Sequence, residues 1–169
     1  MEHILETDRL IISELKLTDF QFILFLLNSP GWLEYIGDRG VNNKEQAMLY
    51  LQNGPLKSYM ENGFGLYKVE EKTSGLPMGL CGLLKRETLD HPDLGFAFLP
   101  EFMGKGYAFE SVEAILGFAK SKLGIQILQA IVLPVNIPSI KLLKKSGFQF
   151  LKTIQFQKGE ELNLFQVNL

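Results

Sequence analysis

The stretch from Pro100 to Ala108 reads PEFMGKGYA, two glycines around one lysine, directly ahead of an amphipathic helical pattern. The first turn of a helix has main-chain N–H groups without intrahelical acceptors and carries the positive end of the dipole, so it attracts phosphate. Glycine at 104 and 106 lets an anion come within about 3 Å of the main chain and reaches the backbone angles of an N–H nest. Lys105 adds a point charge. The competing reading is a tight strand-to-helix turn without a ligand, which a short glycine pair does not exclude. Two nucleotide motifs fail. G-x-G-x-x-G/A needs a small residue where Phe109 stands, and no acidic residue closes the next strand to hold a ribose. A triphosphate loop needs G-x-x-x-x-G-K-[ST], whereas Lys105 precedes Gly106 and Leu99 stands in the first glycine's place. His3 and His91 have no ligand-like spacing, so no metal is expected, and Cys81 inside GLCGLL reads as a small core residue rather than a nucleophile.

Those residues need elements to position them. Arg9 to Lys16 has the β-branched, partly alternating pattern of a strand, followed by Thr18 as a helix N-cap before DFQFILFLLN. Asn28-Ser29-Pro30-Gly31 ends that helix, and an aromatic-rich bridge, WLEYIGDRG, leads to a second helix from Asn42 or Asn43 through EQAMLYLQN. Phe64 to Lys72, Pro77 to Arg86 and Asp93 to Leu99 read as a meander of strands. Ala108, Val112, Ile115, Ala119 and Leu123 then recur at helical spacing, and Gln126 to Leu133 follows as a buried-type strand. A helix over Pro138 to Lys145, stopped by Gly147, precedes two closing strands, Phe148 to Gln157 and Leu162 to Asn168, around a Lys158-Gly159-Glu160 turn. The order predicts one mixed α/β layer structure.

Bulk properties narrow the function. A chain of 169 residues reads as one domain over residues 1–169, since about 150 residues bury roughly 70% of their unfolded surface. The net charge of -2 supplies no basic excess for a nucleic-acid backbone. One cysteine cannot form an internal disulfide, and MEHILETDRL has neither a basic leader nor a long apolar stretch. The longest apolar runs, such as Phe22 to Leu27, fall short of the roughly 20 residues that span a bilayer. A cytoplasmic protein without a membrane anchor is expected.

A second segment, Asn136 to Phe148 (NIPSIKLLKKSGF), adds context. With the glycine loop it resembles the GNAT superfamily of acyl-CoA-dependent N-acetyltransferases, whose loop reads about [QR]-x-x-G-x-[GA] and whose later segment is N-x-x-[SA] before a helix ending in G-F. Met103-Gly104-Lys105-Gly106-Tyr107-Ala108 matches the first, and Asn136, Ser139, Gly147 and Phe148 match the second. ETDRLIISELKLTDF and DLGFAFLPEFMGKGYAFES look most like the RimJ/RimL branch. The resemblance runs from about Leu5 to Phe150. It implies a twisted, mostly antiparallel sheet flanked by helices, with acetyl-CoA as cosubstrate and no metal.

By that resemblance, main-chain amides of Gly104 to Ala108 hold the coenzyme's pyrophosphate. The pantetheine arm lies in a split beside the Asp93 strand, bonded to backbone around Phe98 and Leu99, with Pro134 at the facing edge and Asn136 and Ser139 near the thioester. Acyl transfer to an amine then needs three things. An ammonium of pKa about 10.4 is only about 0.1% free base near pH 7, so a base is required: Asp93 first, Glu87 second, each with plain solvation as the competing reading. The oxyanion needs a donor, for which a backbone N–H near Leu99 is expected. The leaving thiolate needs a proton or a hydrogen bond. The tyrosine that many GNAT enzymes place there is Leu143 here, which leaves Ser139, or a plain first-turn hydroxyl. Met103 replaces the usual Gln or Arg.

Trp32, Tyr35, Asp38 and Arg39 stand in the segment where relatives line the acceptor cleft, and Phe64 and Tyr67 at the start of the second strand are expected to join them around an amine, with loop and core packing as the alternative. Lys144 and Lys145 read as a nucleotide-phosphate contact or a solvated helix end. The resemblance implies a primary amine as acceptor, either a protein N-terminus or a small molecule, and direct attack is expected because no side chain suits a covalent acetyl-enzyme. A non-catalytic acyl-CoA sensor is the other reading. Both a monomer and a homodimer remain open.

Overall fold

A computed structural model describes residues 3–169. β1 (Leu5–Glu6) and β2 (Leu10–Glu14) form a small antiparallel pair, joined by a turn in which Thr7 N–H donates to the Leu10 carbonyl. β3 (Leu66–Glu71), β4 (Pro77–Leu84) and β5 (Asp93–Phe98) extend it as the predicted meander. β6 (Ile127–Val132) lies parallel to β5, and the closing hairpin adds β7 (Gln149–Gln155) and β8 (Glu161–Asn168). The resulting eight-stranded sheet runs β1-β2-β3-β4-β5-β6-β8-β7.

Helices cover both faces. α1 (Phe20–Leu27), α2 (Pro30–Tyr35), α3 (Lys44–Leu51) and α4 (Lys57–Asn62) occupy the first half of the chain, and α5 (Tyr107–Ser121) and α6 (Ile137–Lys145) the second. Strand neighbours point to opposite faces, and adjacent residues accordingly enter different cores. Cys81 and Phe98 join Val112, Ile115 and Ala119 of α5, while Leu80 and Leu99 join Ile23 and Leu26 of α1, Trp32 and Leu51. Val112 and Ile115 are fully buried, each worth about 1.5–3 kcal/mol of transfer free energy.

Three local readings are corrected. Thr18 lies inside a 3-10 turn (Leu17–Asp19), and Asp19 precedes α1, its carboxylate accepting the Lys16 N–H at 2.8 Å. The segment after Asn28 is not a bridge alone: Ser29 takes an extended N-cap conformation and Pro30 opens α2, since proline's fixed φ and missing N–H suit a first turn. The second helix begins as expected, with Asn43 Oδ1 accepting the Gln46 N–H at 2.9 Å, but it does not stop at Asn53. A π turn over Gln52–Leu56 absorbs Pro55, whose nitrogen can donate to no carbonyl, and α4 continues. That continuation brings Tyr59 to the sheet, where its hydroxyl donates to the Leu66 carbonyl and accepts the Leu15 N–H.

Candidate active site

The sheet is not continuous at its centre. β5 and β6 share one register pair, Asp93 with Gln129, and the Gln129 N–H donates to the Pro92 carbonyl at 2.9 Å. Beyond that point the two strands no longer pair. On β5, main-chain groups alternate sides: the Leu99 N–H donates to Met78 at 2.9 Å toward β4, and the Pro92 carbonyl faces β6. Phe96 and Phe98 therefore turn their N–H and C=O groups into the open wedge. Leu99 does not, because its carbonyl also accepts the Phe102 N–H at 3.0 Å. A donor was expected near Leu99; the Leu99 amide itself is already used, and the available donors lie one and three residues earlier.

At the mouth of the wedge stands the glycine loop. Gly104 has φ 73° and Gly106 φ 83°, left-handed angles that favour glycine, and Gly106 is the N-cap of α5. A Cβ added at Gly104 would meet nothing within 4 Å, so the main chain there is open to an approaching group. The first helical hydrogen bond runs from the Glu110 N–H to the Gly106 carbonyl at 3.0 Å, leaving the amides of Tyr107, Ala108 and Phe109 ahead of the ladder. Lys105 and Met103 are exposed beside them. Lys145 reaches this turn from α6, its ammonium 4.1 Å from the centroid of Phe109. Beneath the loop, Arg9 donates from Nε to Glu110 Oε2 at 2.7 Å and from Nη1 to the Lys105 carbonyl at 3.0 Å. Sequence reasoning assigned Arg9 and Glu110 no role, since their partners are 96 and 101 positions away.

At the apex of the wedge is Asp93. It is 1% exposed, its Oδ2 accepts from Arg86 Nε at 3.1 Å, and its Oδ1 has no partner among the described residues. Burial pushes its carboxyl up to about 6, against the pull of the Arg86 charge. Gln129, the register partner of Asp93, also carries an unpartnered Oε1. Glu87, by contrast, is exposed on the β4–β5 connection and makes no ion pair among the described residues.

Taken together, a wedge between parallel strands, an amide-lined turn at its mouth and a carboxylate at its apex match a known architecture. The family model for an acetyltransferase (GNAT) domain aligns with residues 9–149. The chain belongs to the GNAT acetyltransferases. It is 27% identical over 161 residues to the uncharacterized N-acetyltransferase YoaA of Bacillus subtilis (strain 168), covering 92% of this chain and 90% of that one. Among solved structures, a GnaT-family acetyltransferase from Bordetella pertussis superposes with a TM-score of 0.82 at 24% identity, covering 98% of this chain and 99% of that one. RimL, a ribosomal L7/L12 α-N-protein acetyltransferase solved with coenzyme A, gives a TM-score of 0.86 at 14% identity, with 99% and 98% coverage. As a GNAT acetyltransferase the protein is an acyl-CoA-dependent enzyme, and among the described residues no cluster of side chains is arranged to hold a metal.

The GNAT residues of α6 sit as follows. Asn136 is the N-cap, its Oδ1 facing the Ser139 N–H at 3.4 Å, so its side chain serves the helix end. Ser139 is half-buried in the first turn and its hydroxyl makes no hydrogen bond among the described residues.

The acceptor residues divide. Phe64 and Tyr67 are 8% and 1% exposed within the α5-side core, Tyr67 stacked on Tyr59 at 5.5 Å, so packing already uses both rings. The structure removes them from the expected cleft. Trp32 packs against Leu80 and Leu99 in the other core, 6% exposed, with Nε1 unpartnered among the described residues. Tyr35 is half-buried, and Asp38 and Arg39 are exposed, with Asp38 Oδ1 accepting the Gly40 N–H at 2.8 Å. Sequence reasoning missed Tyr50 and Arg86. Burial raises the Tyr50 hydroxyl while the charges of Arg39 and Arg86 oppose that rise. Arg86 also lies 5.6 Å from the centroid of Phe156, on the loop before β8.

Proposed function

We propose that this GNAT acetyltransferase transfers the acetyl group of acetyl-CoA to a primary amine by direct attack in a ternary complex. The observation that carries the reading is the wedge itself, with an open amide-rich turn at one end and a partly unpartnered, buried carboxylate at the other. Amides of Gly104 to Ala108 bind the diphosphate, and Lys105 and Lys145 supply positive charge beside it. Phe96 and Phe98 offer the pantetheine arm main-chain groups, as an added strand would use them. Asp93 is the base that takes a proton from the acceptor ammonium, relayed past Arg86. The amine nitrogen attacks the thioester carbonyl, the C–S bond breaks, and the thiolate leaves with a hydrogen bond from Ser139. The oxyanion is met by a β5 amide facing the wedge, Phe96 or Phe98.

The acceptor meets Tyr35, Asp38 and Arg39 together with Tyr50, Arg86 and Phe156, while Trp32 is held in the core against Leu80 and Leu99. A protein N-terminus and a small amine both fit this description. The likeness to RimL supports the RimJ/RimL branch and, with it, a protein N-terminus. Two observations favour a second reading, in which the protein senses acyl-CoA without turning it over: Asp93 is covered by Arg86, and Leu143 replaces the expected tyrosine. Thiol release from acetyl-CoA against a panel of peptides and small amines separates them. Amine-dependent release is the expected result, whereas CoA binding without release for every amine selects the sensor.

A further inference from the structure

We propose that Arg9 is a positioning residue for coenzyme A binding, which fixes the direction of the Gly106 N–H by holding the carbonyl of the same peptide unit. The proposal rests on the reading of the glycine loop as the diphosphate site. Lys105 precedes the N-cap of α5, so its carbonyl takes no part in the helical ladder and needs another partner. Arg9 Nη1 supplies it at 3.0 Å. In a planar trans peptide the C=O and the following N–H point in opposite directions, and no cis bond occurs among the described residues. Holding the Lys105 carbonyl on the β2 side therefore aims the Gly106 N–H away from β2, toward the open side of the loop.

Further contacts around Glu110 and Tyr107 keep the guanidinium in place. Nε donates to Glu110 Oε2 at 2.7 Å, and the Arg9 main-chain N–H donates to Oε1 of the same carboxylate at 3.1 Å. Thr7 Oγ1 donates to that Oε1 at 2.6 Å while accepting the Leu10 N–H at 3.0 Å, which ties Glu110 to the turn between β1 and β2. The Arg9 guanidinium carbon sits 4.4 Å from the centroid of Tyr107, whose hydroxyl donates to Glu71 at 3.1 Å. Nη2 lies 3.2 Å from the position a Cβ would take at Gly106, so a side chain at 106 would also disturb the clamp. Partial burial alone would raise the Glu110 carboxyl, but hydrogen bonds from Thr7 and Arg9 hold it below the usual range and keep the acceptor charged. One charge thus spans the first turn of α5 and the peptide before it, a fork that lysine cannot reproduce.

The test compares two cosubstrates. S-acetylpantetheine carries the thioester and the arm but no diphosphate. In Arg9→Ala, the KM for acetyl-CoA and the calorimetric Kd for CoA should rise about ten- to a hundredfold, the range for a lost charged hydrogen bond. The kcat should stay within about twofold, the loss being uniform binding. The KM for S-acetylpantetheine should not change, and Arg9→Lys should recover part of the CoA affinity. A folded Arg9→Ala protein with wild-type CoA affinity overturns the proposal, as does an equal loss for both cosubstrates. Wild-type protein that binds no CoA in the calorimeter overturns the reading of the loop instead, and this proposal with it.

Discussion

Asp93 and Glu87 are the same kind of group six residues apart in sequence, yet only one is made unusual by its surroundings. Asp93 is buried and titrates up to about 6, so the folded protein releases that proton at a higher pH than an unfolded chain does, near 3.9. Between those two values the folded state holds more protons, and the residue's contribution to stability falls as pH rises, by roughly 3 kcal/mol in all. In urea melts, the stability of Asp93→Asn relative to wild type should therefore grow from about pH 4 to pH 6 and stay level above that. In its proposed role as base Asp93 must be ionised, so kcat/KM should drop on the acid side with an apparent pKa near 6. Asp93→Asn should remove that limb and lower kcat by about 10²- to 10⁴-fold. An unchanged pH–rate profile in the variant would assign the proton to another group. The position of Asp93 was legible from the strand pattern and the resemblance. Arg86 was not, because nothing in the charged run from Lys85 to Glu87 marks which side chain turns inward.

Among the elements, the strand–loop–helix unit from β5 to α5 was readable because its parts are local: alternation, a glycine pair, then a four-turn apolar stripe. The diphosphate binding proposed for it rests on backbone angles at two residues, Gly104 and Gly106. Gly104→Val should cost the ligand-free fold only the left-handed penalty, about 1–2 kcal/mol, because a Cβ there meets no other atom within 4 Å. Its CoA affinity should fall by far more, since the branched side chain would stand where the phosphate approaches. Thermal melts and calorimetry on the same sample separate the two effects, and an unchanged Kd in a folded variant would remove Gly104 from the site. The elements that sequence reading missed were those whose reasons lie far away. β1 has two residues and exists because β2 offers it an edge. α2 was hidden by Pro30, which marks a start as readily as a stop, and α4 by Pro55, which a π turn tolerates. Tyr67 was assigned to the cleft because sequence shows its ring but not the face of the sheet to which it points.

Across the whole molecule, the main-chain ladder is nearly interrupted at the wedge, and the apolar core containing Val112, Leu128, Leu143 and Phe165 bridges the interruption. A ligand lying along both strands should therefore brace the structure. At 100 times its Kd, CoA should add about 2.7 kcal/mol, which for a domain of this size raises Tm by about 5–11 °C. A shift no larger than that given by inorganic pyrophosphate would place the coenzyme on the loop alone. No helix among the described residues is long and apolar enough to cross a membrane. The interruption has a counterpart in the polypeptide. β1 to β5 and α1 to α5 all precede the exposed Gly124, and β6 to β8 with α6 all follow it. Each part is thus one unbroken length of chain, and the molecule is organised as two consecutive segments, a longer and a shorter one, that a single covalent link near Gly124 joins, the layout that permits reassembly from two separately made fragments.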